Sequence, residues 1–142
     1  MRGVKASSIS ELEREAREVL RSEPRVALAY LFGSVARGTP GPLSDIDLGV
    51  LLAAPAGRSE ILGALMDRLV LRLRTEDVDL VDLAAAPFPL RYRVVREGRV
   101  VVCVDPRLRE RFEVETVRRY LDFQPLRQRA FDIARAVILR AG

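Results

Sequence analysis

Within LFGSVARGTPGPLSDIDLGVLL, residues 31–52, two aspartates, Asp45 and Asp47, stand one residue apart in what otherwise reads as a buried strand. Residues i and i+2 of a strand leave the same face, so the two carboxylates project side by side while Ile46 and Leu48 enter the opposite layer. Burying one carboxylate is costly, and a second beside it adds like-charge repulsion. Such a pair is tolerable at a solvent-facing rim, or where a divalent cation lies between its members. Mg²⁺ suits the second case, because it takes oxygen ligands and is commonly held by one or two carboxylates plus substrate phosphates. Alone, an Asp-x-Asp marks no more than a strand entrance, with Ser44 and Asp45 ending a turn. It is not alone, because VDLV at 78–81 puts Asp79 inside another apolar strand. If that strand neighbours the first, its carboxylate reaches the same place. Asp77 shares the face of Asp79 but sits at the strand's mouth beside Glu76, and Asp82 points the other way as a strand-end residue. Asp79 is therefore the expected third carboxylate, with Asp77 as the alternative.

GSVARG, residues 33–38, supplies a complementary chemistry. A Gly-Ser turn that leaves a strand and enters a short helix offers backbone N–H groups and a hydroxyl to an anion. Gly33 has no Cβ to obstruct a phosphate, and Ser34 can donate its hydroxyl to a phosphate oxygen. Gly38 is expected to end the short helix in a left-handed conformation. Arg37 either faces phosphate or pairs with a strand carboxylate and holds the loop. Three acidic groups beside a phosphate-binding turn make sense together if metal ions and a triphosphate complete the site.

The totals narrow the chemistry further. The chain has no histidine, which removes histidine general bases, Ser-His-Asp triads and ordinary zinc sites. An enzyme made of these residues works with carboxylates, a hydroxyl, arginine and a hard cation. The net charge is +4, and Lys5 is the only lysine. A basic balance is compatible with nucleic acid, nucleotide phosphates or an acidic protein partner. The arginines are spread along helices rather than clustered, which argues against nucleic acid. Cys103 is the only cysteine; it excludes an internal disulfide and, lying in RVVVCVD, reads as core filler. No run approaches the roughly 18 apolar residues of a membrane span, and MRGVKASSIS is too short and polar for a secretory signal. The expected location is the cytoplasm.

The elements that must position these residues follow from patterning. With 142 residues the chain is expected to form a single domain over 1–142, its core about 10–105 and a helical segment from 106 to 142. Ser10 with Glu13 three residues later forms a capping box, and Leu12, Ala16, Val19 and Leu20 line one face of a helix over 10–22. RVALAYLF is apolar on both faces and reads as a central strand. GTPGPLS is a loop, DIDLGVLLA a second strand, and Ser59 caps a helix carrying Ile61, Leu65, Leu69 and Leu73. DVDLVDLA is a third strand, PFPLRYRVVREG a short helix ended by Gly98, and RVVVCVD a short strand. The remainder is helical, with Pro125 dividing it. Leu126, Ala130, Phe131, Ala134, Val137 and Ile138 form a stripe expected to pack on the body, the alternative being a docking or dimerisation face bordered by Arg127, Arg129, Arg135 and Arg140. The order predicts an α/β (α+β) protein, a small mixed sheet flanked by helices.

Gly33-Ser34, ten residues and then Asp45-Ile46-Asp47 resembles the signature of the DNA polymerase β-like nucleotidyltransferase superfamily. GSVARG, SDIDLGVLL and VDLVDL together look like its smallest members, the minimal nucleotidyltransferase (MNT) domains, over roughly residues 25–105. The tail RRYLDFQPLRQRAF resembles the end of MntA-type antitoxins. The resemblance implies a polymerase β-like fold in which Asp45 and Asp47 hold two metal ions, Mg²⁺ foremost, and Asp79 completes the cluster and helps activate the attacking hydroxyl. It implies that Gly33 and Ser34 grip the distal phosphates of ATP. The reaction is then in-line attack of a hydroxyl on the α-phosphate, releasing pyrophosphate, a chemistry of positioning and charge neutralisation. Relatives of this size are commonly antitoxins encoded beside a HEPN-domain ribonuclease toxin, and some attach AMP to a tyrosine of that toxin. Two other functions compete. One is an antitoxin that neutralises its partner by binding alone, through the arginine-rich C-terminal helices. The other is transfer to a small molecule such as an aminoglycoside hydroxyl, for which the chain has little room to build an acceptor pocket.

Overall fold

VALAYLF carries no charged side chain and is buried along its whole length, because it lies in the interior of a four-stranded sheet. The structure is a computed structural model that describes residues 9–38, 45–53 and 56–141, with the backbone alone at 124–127 and 141. The elements run α1 (Ile9–Arg21), β1 (Val26–Phe32), α2 (Gly33–Ala36), β2 (Ile46–Leu52), α3 (Arg58–Leu73), β3 (Val78–Asp82), α4 (Phe88–Glu97), β4 (Arg99–Cys103) and α5 (Pro106–Ala141). The strand order is β3-β2-β1-β4. β1 is antiparallel to β2 and to β4, whereas β2 and β3 are parallel, joined by a crossover through α3. The sheet is mixed and flanked by helices, as the patterning predicts.

Strand parity divides the core in two. Ile46, Leu48, Val50 and Leu52 pack with α1 and α3, whose Leu12, Ala16, Val19, Leu20, Ile61, Leu65, Leu69 and Leu73 are all buried. Leu28, Tyr30 and Phe32 of β1 face the other way, against Val94 of α4 and Phe112 of α5. At about 1.5–3 kcal/mol per large apolar side chain, these two layers dominate the stability of the sheet. Asp47 and Asp79 have odd numbers on strands whose even residues enter the first layer, so they belong to the α4–α5 face. A hydrogen bond from the Tyr30 hydroxyl to Glu113 Oε2 at 2.6 Å ties that face to α5.

Several boundaries differ from the sequence reading. Ser10 lies inside the first turn of α1 rather than capping it. α3 begins at Arg58 after a left-handed Gly57, with no side-chain cap, so Ser59 is also inside its helix. Gly98 ends α4 in an extended conformation, where its missing Cβ makes room for Tyr30 and for the Val94 carbonyl. Cys103 is exposed rather than core. A register irregularity opposite Ala29 and Tyr30 brings Val101 and Val102 both under cover, and leaves Cys103, at the end of edge strand β4, exposed. The loop 39–44, with Ser44, lies outside the described residues.

The largest departure is at the C-terminus. α5 is one helix of 36 residues, unbroken at Pro125. Proline there removes one backbone donor, but the flanking residues are good helix formers and the ladder resumes. At 1.5 Å per residue the helix is about 54 Å long, whereas a seven-residue strand spans only about 23 Å. Its first half packs on the body through Phe112 and the buried Thr116, and Tyr120 stacks on Tyr92 of α4 at 3.8 Å. The second half outruns the sheet. Phe131, Val137 and Ile138 are therefore exposed, at 62%, 51% and 69%, and Ala130 and Ala134 with them; the stripe does not pack on the body. The side chain of Leu126 lies outside the described residues.

Candidate active site

The end of β1 and the beginnings of β2 and β3 meet at one corner of the sheet. Asp47 is the register partner of Phe32 on one side and of Asp79 on the other. Neighbouring strands run about 4.8 Å apart, so the two carboxylates leave adjacent strands from matching positions on the same face. Asp45 immediately precedes β2 and is exposed; Asp47 is half-buried and Asp79 exposed. Asp77, the alternative third carboxylate, lies just before β3, and its carbonyl accepts the Ile46 N–H at 2.8 Å. Asp82 points to the opposite face, where it pairs with Arg58 at 3.3 Å and accepts the Ala84 N–H at 3.1 Å.

Gly33 follows β1 directly and opens α2 with φ +77°. A Cβ built there would collide with the Asp47 carboxylate, its Cγ only 3.1 Å away. The glycine is required twice over, once by its left-handed backbone and once by the acid pressed against it. Ser34 is the next residue, half-buried at the start of α2. Gly38 ends this turn at φ +75°, its N–H bonded to the Val35 carbonyl at 3.1 Å, as expected of a left-handed stop. Asp45, Asp47, Asp79, Gly33 and Ser34 thus gather at one corner although they come from three separate stretches of chain.

The electrostatics of the corner follow from this crowding. Burial first, then the carboxylates of Asp79 and Asp45, push Asp47 above the usual aspartate range, and Arg93 and Arg37 partly oppose them. A group destabilised as an anion by two acidic neighbours is one that a cation would relieve. The donors are hard oxygens, which fits Mg²⁺ and excludes a soft metal. Among the described residues no cluster of three or more acidic or sulfur side chains is placed to hold a metal ion. Mg²⁺ does not require one, since it is usually bound by one or two carboxylates with the remaining positions left to water and phosphate.

Arg37 pairs with Glu97 of α4 at 3.4 Å rather than with a strand carboxylate, and the residue that the sequence reading misses stands beside it. Arg93, one turn earlier on α4, pairs with the same Glu97 oxygen at 3.4 Å. Arg93 lies in LRYRVVREG, where four-residue spacing to Glu97 reads as an ordinary helix pair. Only the docking of α4 beside α2 turns that pair toward Asp47.

Residues 14–107 match the model of the family described as polymerase beta, nucleotidyltransferase. The chain is 37% identical over 112 residues to the protein adenylyltransferase MntA of Shewanella oneidensis, covering 77% of this chain and 76% of that one. A crystal structure of a toxin–antitoxin with AMP-PNP superposes with a TM-score of 0.73 at 35% identity, over 86% of this chain and 97% of the other. A tri-AMPylated Shewanella oneidensis HEPN toxin in complex with MNT antitoxin matches at a TM-score of 0.70 and 31% identity, over 89% and 98%. Among the described residues no helix is long and apolar enough to cross a membrane.

Proposed function

The chain belongs to the polymerase beta nucleotidyltransferase family, and from that premise we propose that it is an antitoxin that transfers AMP from ATP to a tyrosine hydroxyl of a partner HEPN-domain toxin. The observation that carries this reading is the pairing of Asp47 with Asp79 in register, on the face where Gly33 meets the Asp47 carboxylate. On this reading Asp45 and Asp47, with Asp79, would hold the Mg²⁺ ions, and Asp79 takes up the proton of the attacking hydroxyl. The bound ions would supply Lewis-acid stabilisation of the attacking and leaving oxygens. Gly33 admits the distal phosphates to the backbone, and the Ser34 hydroxyl donates to them. The oxygen–phosphorus bond to the acceptor forms at the α-phosphate as pyrophosphate leaves on the opposite side. The whole chain serves as one catalytic unit with a helical extension, acting in the cytoplasm where ATP is at hand.

The second half of α5 supports a docking role beside the catalytic one. Phe131, Ala134, Val137 and Ile138 form an apolar stripe, and Arg129, Arg135 and Arg140 border it, against a single acid, Asp132, already hydrogen-bonded to Gln128 at 3.0 Å. A second copy of this helix would set arginine against arginine. An acid-rimmed apolar surface on the toxin matches both the stripe and its border. The test of the function is incubation with labelled ATP, Mg²⁺ and the co-expressed toxin. Label should enter a toxin tyrosine with the wild type and not with Asp47→Asn. Full transfer by the folded Asp47→Asn protein would refute the assignment, and protection without any label would leave binding alone as the function.

A further inference from the structure

The corner described above is rich in negative charge, yet its substrate is a polyanion. On the nucleotidyltransferase reading three aspartates share the corner with a triphosphate, so cations from the chain would share the load with metal ions. Arg37 ends α2 and Arg93 lies on α4, and each reaches the same Oε2 atom of Glu97 at 3.4 Å. Two guanidinium groups converging on one carboxylate oxygen leave a net positive charge there, close enough to Asp47 for both arginines to act on it. All three side chains are substantially open to solvent, at 44%, 51% and 34%. Exposed ion pairs of this kind contribute only about 0–1 kcal/mol each. They can be exchanged at little cost for the shorter, stronger bonds that a guanidinium makes to phosphate.

Resting on the nucleotidyltransferase reading, we propose that Arg93 acts with Arg37 as a clamp on the β- and γ-phosphates, and that Glu97 holds both arginines at the mouth of the site until the nucleotide takes them. Glu97 is then a competitor of the substrate for the same two cations. A purely structural ion-pair cluster has the opposite signature, since removing either sign of charge loosens α2 from α4 and disturbs the site in one direction.

The experiment measures equilibrium binding of ATP with Mg²⁺, and separately of AMP, to the full chain, with thermal melts reporting that each variant folds. Arg93→Ala should weaken ATP binding about tenfold or more, the loss of a charge-assisted hydrogen bond, while AMP binding changes little. Arg93→Lys should recover part of the loss. Glu97→Gln should bind ATP as tightly as the wild type or a few-fold tighter. Arg93→Ala binding ATP at wild-type strength overturns the proposal, as does Glu97→Gln weakening ATP as much as Arg93→Ala does. A wild type that binds no ATP at all would instead bring down the nucleotidyltransferase reading on which the clamp rests.

Discussion

Gly33→Ala offers the sharpest test of the corner's geometry, because the structure assigns it two separable penalties. The first is backbone. Residue 33 sits at φ +77°, and a left-handed conformation costs an L-residue with a Cβ roughly 1–2 kcal/mol. For a chain of this size that lowers Tm by about 2–8 °C. The second is steric, since the new methyl overlaps the Asp47 carboxylate and turns it away from Asp79. A misplacement of about 1 Å in a catalytic group can cost on the order of 100-fold in rate. Gly38→Ala separates the two, for Gly38 has nearly the same φ, +75°, but nothing among the described residues within 4 Å of where its Cβ would stand. Both variants should lose similar stability by thermal melt. Only Gly33→Ala should lose about 100-fold in AMP transfer, with Gly38→Ala within a few-fold of the wild type. Wild-type transfer by folded Gly33→Ala, or an equal loss in Gly38→Ala, would show that Asp47 does not need its place against residue 33.

The other expectations are quicker to state. Asp79→Asn should lower transfer by 100-fold or more at unchanged fold, whereas Asp82→Asn, which loses only the pair to Arg58 on the opposite face, should keep transfer and cost at most about 1 kcal/mol in urea unfolding. Asp47→Asn should abolish transfer yet stabilise the metal-free protein, by about 0.2–1 kcal/mol, the size of a like-charge cross-strand pair. Because Asp47 is held above its ordinary value of 3.8, the folded state keeps that proton longer than the unfolded chain does. The gap in Tm between Asp47→Asn and wild type is therefore absent below pH 3.8 and opens as pH rises through the Asp47 titration. Thr116 is 1% exposed and its hydroxyl has no hydrogen-bond partner among the described residues; Thr116→Val should raise Tm by about 2–4 °C, a gain of about 1 kcal/mol. Phe131→Asp with Ile138→Asp should abolish co-purification of the toxin and leave ATP binding unchanged.

What could be read from the sequence was whatever depends on local period or on a residue's own chemistry. The period-two pattern of DIDLGVLL placed Asp45 and Asp47 on one face, and the parity of VDLV did the same for Asp79. The apolar run VALAYLF announced an interior strand. GSVARG announced its turn, because Gly33 and Gly38 meet positive φ that few other residues accept. Arg93 stayed hidden, since nothing in a helical Arg–Glu spacing says which neighbour the helix will meet. The apolar stripe from Ala130 to Ile138 was ambiguous for a related reason. A helix face records that it needs cover, and only the length of the sheet beneath it decides whether the same chain provides that cover. Cys103 was misread because one register irregularity on β4 exchanges inside for outside, and alternation along RVVVCVD carries no trace of it.

The parallel pairing of β2 with β3 has a temporal consequence. Asp47 and Asp79 are 32 positions apart, and all of α3 must fold back across the sheet before they can face each other. A chain that stops short of β3 carries the first two acids without their counterpart. Such a fragment should be inert toward ATP however well its hairpin forms, so labelled acceptor testifies to a finished sheet as much as to a working enzyme.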